Sequence, residues 1–261
     1  KDLSFEYLKY FSPQFLVING DGNSRFGFSG ISPITAFEYI FIFIGLYYLF
    51  KNREKWRYLI LLMFVFSPIS ASLSWAGESI TRSIFIFIPI FIISAYGIVN
   101  FLNKKSVFLY FILSTLYLIL VFYSWDFYFN HYPKRAIVLR SWQAGYKELA
   151  SYIKENYNNY DRFYITKKNG QPYIFLLFYL QYPPEIYQKE SSLSKPDEYG
   201  FGQVEKFDKY IFNLPNDKNI KNSVMIGFPD DFSEMEKSGA KKIKIGAEEI
   251  FYIKESATTT L

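Results

Sequence analysis

Four long apolar runs, separated by short polar segments, occupy most of the first half of the chain. Their lengths are 18 to 20 residues, and a helix needs about 20 residues to cross the hydrocarbon core of a bilayer. Three of the runs contain no charged side chain, and the first contains only Glu38. The pattern predicts an α-helical polytopic membrane bundle with four spans. We place these spans at about 33–50, 58–77, 83–102 and 106–124.

The segments between the runs predict how the bundle is oriented. Residues 1–32 are polar, aromatic and glycine-rich, which is typical of a loop, with a short helix expected near Phe5 to Phe11. Six Lys and Arg residues lie in 51–57 and 103–105, whereas the turn at 78–82 contains only Arg82. Basic loops tend to stay in the cytoplasm. We therefore expect a multi-pass protein of the cell membrane, with the first loop, this turn and the tail outside the cytoplasm.

The pattern changes after Trp125, where shorter apolar segments alternate with charged ones. Residues 143–157 predict a helix, because Tyr146, Leu149, Ala150 and Ile153 recur at helical spacing. Further segments predict strands at 163–166 and 224–227, a buried helix or strand at 173–182, a helix at 230–238, and a hairpin of 241–245 with 249–254. Strands alternating with helices indicate a small extracytoplasmic α/β domain. The expected divisions are 1–32 as a loop, 33–125 as the membrane region and 126–261 as this domain.

Composition removes several classes of function. Residues 1–125 hold 10 basic and 6 acidic side chains, and residues 126–261 hold 19 and 18, so most of the net charge of +5 lies beside the spans. That distribution does not favour nucleic-acid binding. The absence of cysteine excludes disulfides, thiol nucleophiles and cysteine-ligated zinc, and a single histidine excludes histidine-pair metalloproteases. Because the chain begins at Lys1 rather than Met, we expect it to be the C-terminal part of a longer protein.

The candidate chemistry lies at the membrane face that contains Arg82. An arginine at the start of a span, near exposed helix amides, suits a lipid-linked phosphate because a guanidinium binds two oxygens at once. Two structural alternatives stay open: an ion pair between Glu78 and Arg82 four residues apart, or extension of Arg82 into the head groups. His131, the single histidine, is expected to be a hinge between the last span and the tail. Asp230 and Asp231 are ordinary residues for the start of a helix.

Several short motifs accompany the spans and the start of the tail. They are Gly20-Asp21, Arg25 and Gly30, then Arg82-Ser-Ile, Pro89 and Gly97, then Tyr128-Phe-Asn-His131-Tyr-Pro133, Trp142, Gly145 and Pro172-Tyr-Ile-Phe-Leu-Leu-Phe-Tyr179. Together they resemble the C-terminal half of bacterial and archaeal dolichyl-phosphate-mannose–protein mannosyltransferase-like enzymes, glycosyltransferase family 39, over about residues 5–190. The chain departs from the family at Ser79-Ile-Thr, where His-Ala-Leu is common, and at Phe26, where a histidine often follows the loop arginine.

The resemblance implies a multi-span transferase of the GT-C fold that moves a sugar from a polyprenyl-phosphate carrier to an acceptor protein or glycan. It implies that an acidic base activates the acceptor hydroxyl and that a cation stabilises the departing phosphate. In the family that base lies in the first outer loop, upstream of Lys1, so the catalytic residue is unknown here. Arg82 is the first candidate for the phosphate and Arg25 the second, while Asp21 and Glu78 are expected to orient them or to contact the sugar. No cofactor is expected other than this lipid-linked donor, no metal ligand is identified, and the need for a divalent metal is undetermined.

A second interpretation remains beside the transferase. A non-catalytic membrane protein could present the α/β domain to a partner in the cell envelope. The upstream sequence separates the two interpretations, because further spans with an acidic pair in the first outer loop are typical of the transferase.

Overall fold

The structure is a computed structural model that describes residues 2–27, 32–74, 77–103, 105–168, 170–196, 200–216 and 220–256. The chain divides into two compact units, residues 1–132 and 133–261.

All regular elements that the structure describes in the first unit are helical. A short helix α1 (Leu3–Lys9) and a π-helical turn (Gln14–Asn19) form most of the first loop. The remaining elements of this unit, in chain order, are α2 (Ala36–Asn52), α3 (Arg57–Phe66), α4 (Ile69–Ser72), a 3₁₀ turn (Ile84–Ile86), α5 (Phe87–Leu102), α6 (Val107–Asp126) and a π-helical turn (Phe127–His131). A 3₁₀ turn (Tyr132–Lys134) follows where the chain passes into the second unit.

Two continuous helical segments in the described residues are long and apolar enough to cross a membrane, Ile84–Leu102 and Val107–Lys134. They correspond to the third and fourth expected spans, although the last one continues well beyond the expected end at Ser124. Helix α2 has 17 residues, shorter than a typical span, and the second run is a shorter apolar helical segment, Arg57–Ser72. The structure thus supports two candidate spans, and crossing by the other two runs stays a prediction.

The second run differs from the expected single helix because of Pro68. Proline has no N–H to donate, and its ring crowds the preceding turn, so the regular helix α3 ends at Phe66. Neighbouring hydroxyls bind some of the carbonyls at the break: Ser67 Oγ donates to the Met63 carbonyl, and Ser72 Oγ donates to the Pro68 carbonyl at 2.9 Å. The chain then continues as the single turn of α4.

Helices α2 and α5 pack against each other with their backbones in close approach. At their crossing a Cβ on Gly97 would lie 2.4 Å from the Phe41 carbonyl oxygen, and one on Gly45 would lie 1.9 Å from the Ile93 carbonyl oxygen. Small residues allow two helix backbones to approach in this way. One turn away, Ser94 Oγ donates a hydrogen bond of 3.2 Å to the Glu38 carbonyl. The α2–α5 contact thus joins the helix that follows the first loop to the helix that follows the 78–82 turn.

The second unit is a mixed sheet covered by helices. Its helices are α7 (Ala136–Ser141), α8 (Tyr146–Asn156), α9 (Pro172–Tyr179), α10 (Pro184–Glu190) and α11 (Glu234–Ser238). Its strands are β1 (Arg162–Ile165), β2 (Ser192–Leu193), β3 (Val204–Phe207), β4 (Tyr210–Ile211), β5 (Ser223–Gly227), β6 (Lys241–Ile245) and β7 (Glu248–Glu255). The strand order is β2-β3-β4-β1-β5-β7-β6, and β1 runs parallel to both of its neighbours, β4 and β5.

Several local predictions for the tail are confirmed. Tyr146, Leu149, Ala150 and Ile153 all lie in the core of the second unit, on α8. The two late segments pair as the antiparallel hairpin β6–β7, and the strands near 163 and 224 are β1 and β5. The apolar run 173–182 forms a helix, α9, rather than a strand, whereas 230–238 contains only a 3₁₀ turn and the short α11. The sequence analysis predicted no strand at the positions of β2, β3 and β4.

We expect residues 133–256 to fold when expressed alone, because their core is built from residues of this unit. Replacing Phe251, which is fully buried and packs against Tyr146 and Phe228, by alanine should destabilise the fragment by about 3–5 kcal/mol. Met235→Ala is the matched control, because that side chain is 86% exposed. Thermal unfolding followed by circular dichroism tests this prediction. A fragment without a cooperative transition would contradict it.

Candidate functional site

The first loop of the chain folds tightly around Asp21. Asp21 is 4% exposed, and its Oδ1 accepts a hydrogen bond from the Asn23 N–H at 2.8 Å. Asn23 repeats the pattern, since its Oδ1 accepts from the Arg25 N–H at 3.0 Å. Short polar side chains of this kind form turns by bonding to backbone groups two residues ahead. Glycine is required at position 27, where a Cβ would lie 2.2 Å from the Asp21 carbonyl oxygen.

Asp21 also joins this loop to the turn that carries Arg82. Its second oxygen, Oδ2, accepts a hydrogen bond from the Ile80 N–H at 2.9 Å. The buried Tyr10 adds a second connection, because its hydroxyl accepts from the Ser79 N–H at 3.3 Å. Burial raises the pKa of the Tyr10 phenol above its ordinary value. Ser83 Oγ donates to the Ser79 carbonyl at 2.7 Å and tightens the turn from within.

Glu78 forms its ion pair with the first helix and not with Arg82. Its Oε1 lies 3.9 Å from Lys9 Nζ, and Lys9 also pairs with Glu6 at 3.1 Å. Residues 78–82 form turns, so the helical geometry that would bring two side chains four positions apart together is absent there. The ion pair between Glu78 and Arg82 considered from the sequence is not present in the structure.

The Arg82 side chain is exposed and remains available to a ligand. Its guanidinium forms neither a hydrogen bond nor an ion pair with any residue that the structure describes. It borders an open cavity of about 420 Å³ between the first loop and the turn. Asp21 and Glu78 border the same cavity, together with Asn23, Ser79 and Thr81. Three of the four candidate residues therefore lie around one space, with one free arginine at its rim.

Arg25, the fourth candidate, does not border this cavity. Its backbone carbonyl accepts a hydrogen bond from the Tyr132 hydroxyl at 3.0 Å, and the Ser24 carbonyl accepts from the same hydroxyl at 2.9 Å. The segment around Arg25 thus attaches the loop to the end of the last long helix. Gly30, part of the resemblance, lies outside the described residues.

His131 lies apart from the cavity, at the end of the same helix. Its Nε2 lies 3.1 Å from Asp126 Oδ2, and Asn130 donates to the other oxygen of that carboxylate at 2.7 Å. In the second unit Asp230 pairs with Arg140 at 3.0 Å, while Asp231 pairs with Lys168 and accepts from the Phe228 N–H at 2.9 Å. His131, Asp230 and Asp231 thus all have partners within their own units.

Two features of the first unit had no counterpart in the sequence analysis. Tyr10 and Lys9 lie far from the turn in sequence, and only the packing of α1 brings them to Ser79 and Glu78.

Among the described residues there is no group of three or more His, Asp or Glu side chains that could hold a metal ion.

The second unit has a charged cavity of its own, of about 570 Å³, at the amino ends of β1 and β4. Both acidic and basic side chains border it: Asp161, Arg162, Glu190, Lys206, Asp208 and Lys209. The Tyr157 hydroxyl donates to both oxygens of Asp208, at 2.9 and 2.8 Å, and burial together with this bond raises the pKa of Tyr157 to about 12. The mixture of charges gives this cavity no single preferred ligand.

The chain matches no family model, no curated protein and no solved structure. The resemblance to glycosyltransferase family 39 therefore stays a prediction from short motifs.

Proposed function

We propose that this chain is the C-terminal portion of an integral-membrane glycosyltransferase that uses a polyprenyl-phosphate sugar. The observation that carries the proposal is the cavity bordered by Asp21, Glu78 and Arg82, in which the arginine has no hydrogen-bond or ion-pair partner among the described residues. A guanidinium in that position suits a phosphate, because its planar fork donates to two phosphate oxygens at once. The position of Arg82, two residues before the candidate span Ile84–Leu102, suits a phosphate attached to a lipid.

The neighbouring acids support the arginine in different ways. Each Asp21 oxygen accepts a hydrogen bond from a backbone N–H group, one in its own loop and one in the turn. This carboxylate therefore positions the backbone on either side of the cavity. The Glu78 charge is partly balanced by Lys9. Neither acid thus holds Arg82, which stays able to bind an anion. In this proposal Asp21 acts as a positioning residue, and Glu78 contacts sugar hydroxyls.

In the proposed reaction an acceptor hydroxyl attacks the anomeric carbon while the bond from that carbon to the phosphate oxygen breaks. Negative charge then grows on the departing lipid phosphate, and Arg82 stabilises it. The base that removes the hydroxyl proton lies outside this chain in the proposal. The orientation that we propose, with the cavity and the second unit outside the cytoplasm, rests on the six basic residues of 51–57 and 103–105 against Arg82 in the 78–82 turn.

A binding experiment on this chain tests the phosphate site directly. In maltoside micelles, farnesyl phosphate should bind with a dissociation constant that Arg82→Lys weakens about tenfold, because lysine cannot form the two-pronged contact. Farnesol, which lacks the phosphate, should bind wild type and variant equally. Arg53→Lys is the matched control, since Arg53 is also exposed and forms no hydrogen bond or ion pair with described residues. Equal farnesyl phosphate binding by wild type and Arg82→Lys would contradict the proposal.

A second candidate function rests on the second unit. Its separate core and its charged cavity favour a binding module that a membrane anchor presents to a partner in the envelope. This alternative requires no phosphate site near Arg82, so the same binding experiment separates the two.

A further inference from the structure

A second cavity of the first unit combines a buried carboxylate with exposed aromatic rings. It is a groove of about 360 Å³ beside the start of α2 and the C-terminal half of α6. The residues that matter for its chemistry are Thr35, Glu38, Tyr117, Trp125, Tyr128 and Phe129. We call it the Glu38 groove. It is distinct from the cavity at Arg82, with which it shares no bordering residue.

Glu38 carries the negative charge of this groove. The residue is only 8% exposed, and its two carboxylate oxygens accept hydrogen bonds from neutral donors. Oε2 accepts from the Thr35 N–H at 2.7 Å, and Oε1 accepts from the Tyr117 hydroxyl at 3.1 Å. No lysine, arginine or histidine in the described part of the chain forms an ion pair with it. A buried carboxylate without a cationic partner is costly, so the groove favours a positive charge.

Glu38 also caps helix α2, and this structural role does not remove the preference of the groove for a positive charge. Glu38 completes a capping box with Thr35 at the start of α2, which uses one of its oxygens. The capping box uses only Oε2, which accepts from the Thr35 N–H, and it does not require the carboxylate to be buried. Burial of the charged group beneath an open groove is therefore not explained by capping.

Aromatic side chains are the second chemical feature of this groove. Tyr117, Trp125, Tyr128 and Phe129 border the groove, and their exposed fractions are 37, 62, 57 and 58%. The Phe129 ring lies 5.7 Å from Trp125 and 5.1 Å from Tyr128, and its plane is nearly perpendicular to that of Tyr128. These rings border one groove at different angles to one another, and the faces of aromatic rings attract ammonium groups.

We propose that the Glu38 groove binds an organic ammonium group, with Glu38 neutralising its charge and the aromatic rings surrounding its alkyl substituents. The ammonium group belongs either to a lipid head group or to a soluble amine. This proposal does not depend on the phosphate site at Arg82. A site for neutral sugars or for apolar chains would use the aromatic rings but would not require the Glu38 charge, which makes the two possibilities experimentally distinct.

The test uses choline as the ammonium probe and 3,3-dimethyl-1-butanol as its uncharged analogue of the same shape. In maltoside micelles, isothermal titration should show saturable choline binding to the chain, with at least about tenfold weaker binding of the uncharged analogue. Glu38→Gln keeps the size of the side chain and should weaken choline binding about tenfold. Glu54→Gln is the matched control, because Glu54 also accepts a tyrosine hydroxyl, that of Tyr96 at 3.3 Å, and does not border the groove. It should bind choline as the wild type does.

A second variant keeps the test decisive if Glu38→Gln fails to fold. Trp125→Leu removes a ring that is 62% exposed, so the fold should survive and choline binding should weaken. Adding phosphatidylcholine nanodiscs, but not phosphatidylglycerol nanodiscs, should compete with choline if the ligand is a lipid head group, and neither should compete if it is a soluble amine. Equal binding of choline and its uncharged analogue, no choline binding by folded wild type, or unchanged binding in both folded variants would overturn the proposal.

Discussion

Replacing Arg82 by lysine should lower sugar transfer by the complete protein that carries this chain by a factor of about 10²–10³. That loss is typical when one preorganised donor is removed from a developing negative charge. Lysine keeps the positive charge but presents a point charge instead of a planar fork, so it cannot hold two phosphate oxygens in the same geometry. Because the guanidinium contacts no described residue by hydrogen bond or ion pair, the substitution should leave the fold intact.

The measurement is transfer from a polyprenyl-phosphate sugar in detergent, with a melting curve for each variant. Arg53→Lys provides the control for a change of arginine to lysine elsewhere in the first unit, and it should leave turnover unchanged. Arg25→Lys should have a smaller effect than Arg82→Lys, because Arg25 does not border the cavity. Turnover of Arg82→Lys close to that of the wild type would support the alternative that Arg82 only extends into the head groups.

The second large effect concerns the crossing of α2 and α5. Gly97→Ala should destabilise the first unit by about 3 kcal/mol, since the new methyl group would lie 2.4 Å from the Phe41 carbonyl oxygen and 2.7 Å from the Gly45 backbone nitrogen. These are backbone atoms of the facing helix, so no side-chain rotation can relieve the clash and the helices must separate. The loss exceeds the gain of about 1 kcal/mol that alanine brings to an isolated helix.

The melting temperature of the chain in maltoside micelles measures this effect. Gly77→Ala is the matched control in the same unit, because a Cβ there would meet nothing within 4 Å. Separation of the helices should also weaken the hydrogen bond from Ser94 to the Glu38 carbonyl, and choline binding in the Glu38 groove should fall together with stability. A melting temperature for Gly97→Ala equal to that of the wild type would show that the two helices do not depend on this contact.

Local patterns predicted the elements that are defined by the spacing or apolar character of neighbouring residues in the sequence. The uncharged run after Arg82 predicted the candidate span Ile84–Leu102, because length and apolar character alone decide whether a helix can cross hydrocarbon. The helical spacing of Tyr146, Leu149, Ala150 and Ile153 predicted the buried face of α8, because one helix face is defined by residues three and four apart. The hairpin β6–β7 followed in the same way from two adjacent strand patterns.

Other features depended on atoms that are distant in the sequence. Charge and spacing allowed Glu78 to pair with Arg82, but the turn geometry prevented it and α1 supplied Lys9 instead. The sequence predicted one continuous span over 58–77, whereas the structure divides this run at Pro68 into α3 and α4. Strands β2 and β3 are weak patterns by themselves and form by pairing outward from β4, with β3 on β4 and β2 on β3.

The sequence by itself determined the two-part organisation of this protein, an apolar helical half followed by a charged α/β half, because apolar periodicity and charge density are properties of contiguous residues. It also singled out Arg82 and Glu78 in the turn between two apolar runs, and the resemblance of its motifs added Asp21. Only the tertiary structure decided that these three border one cavity and that Arg82 lacks a partner among the described residues. It alone placed Glu38 beneath the rings of α6. Such contacts join residues far apart in the chain, and they form only when the packing of whole helices fixes the distances between side chains.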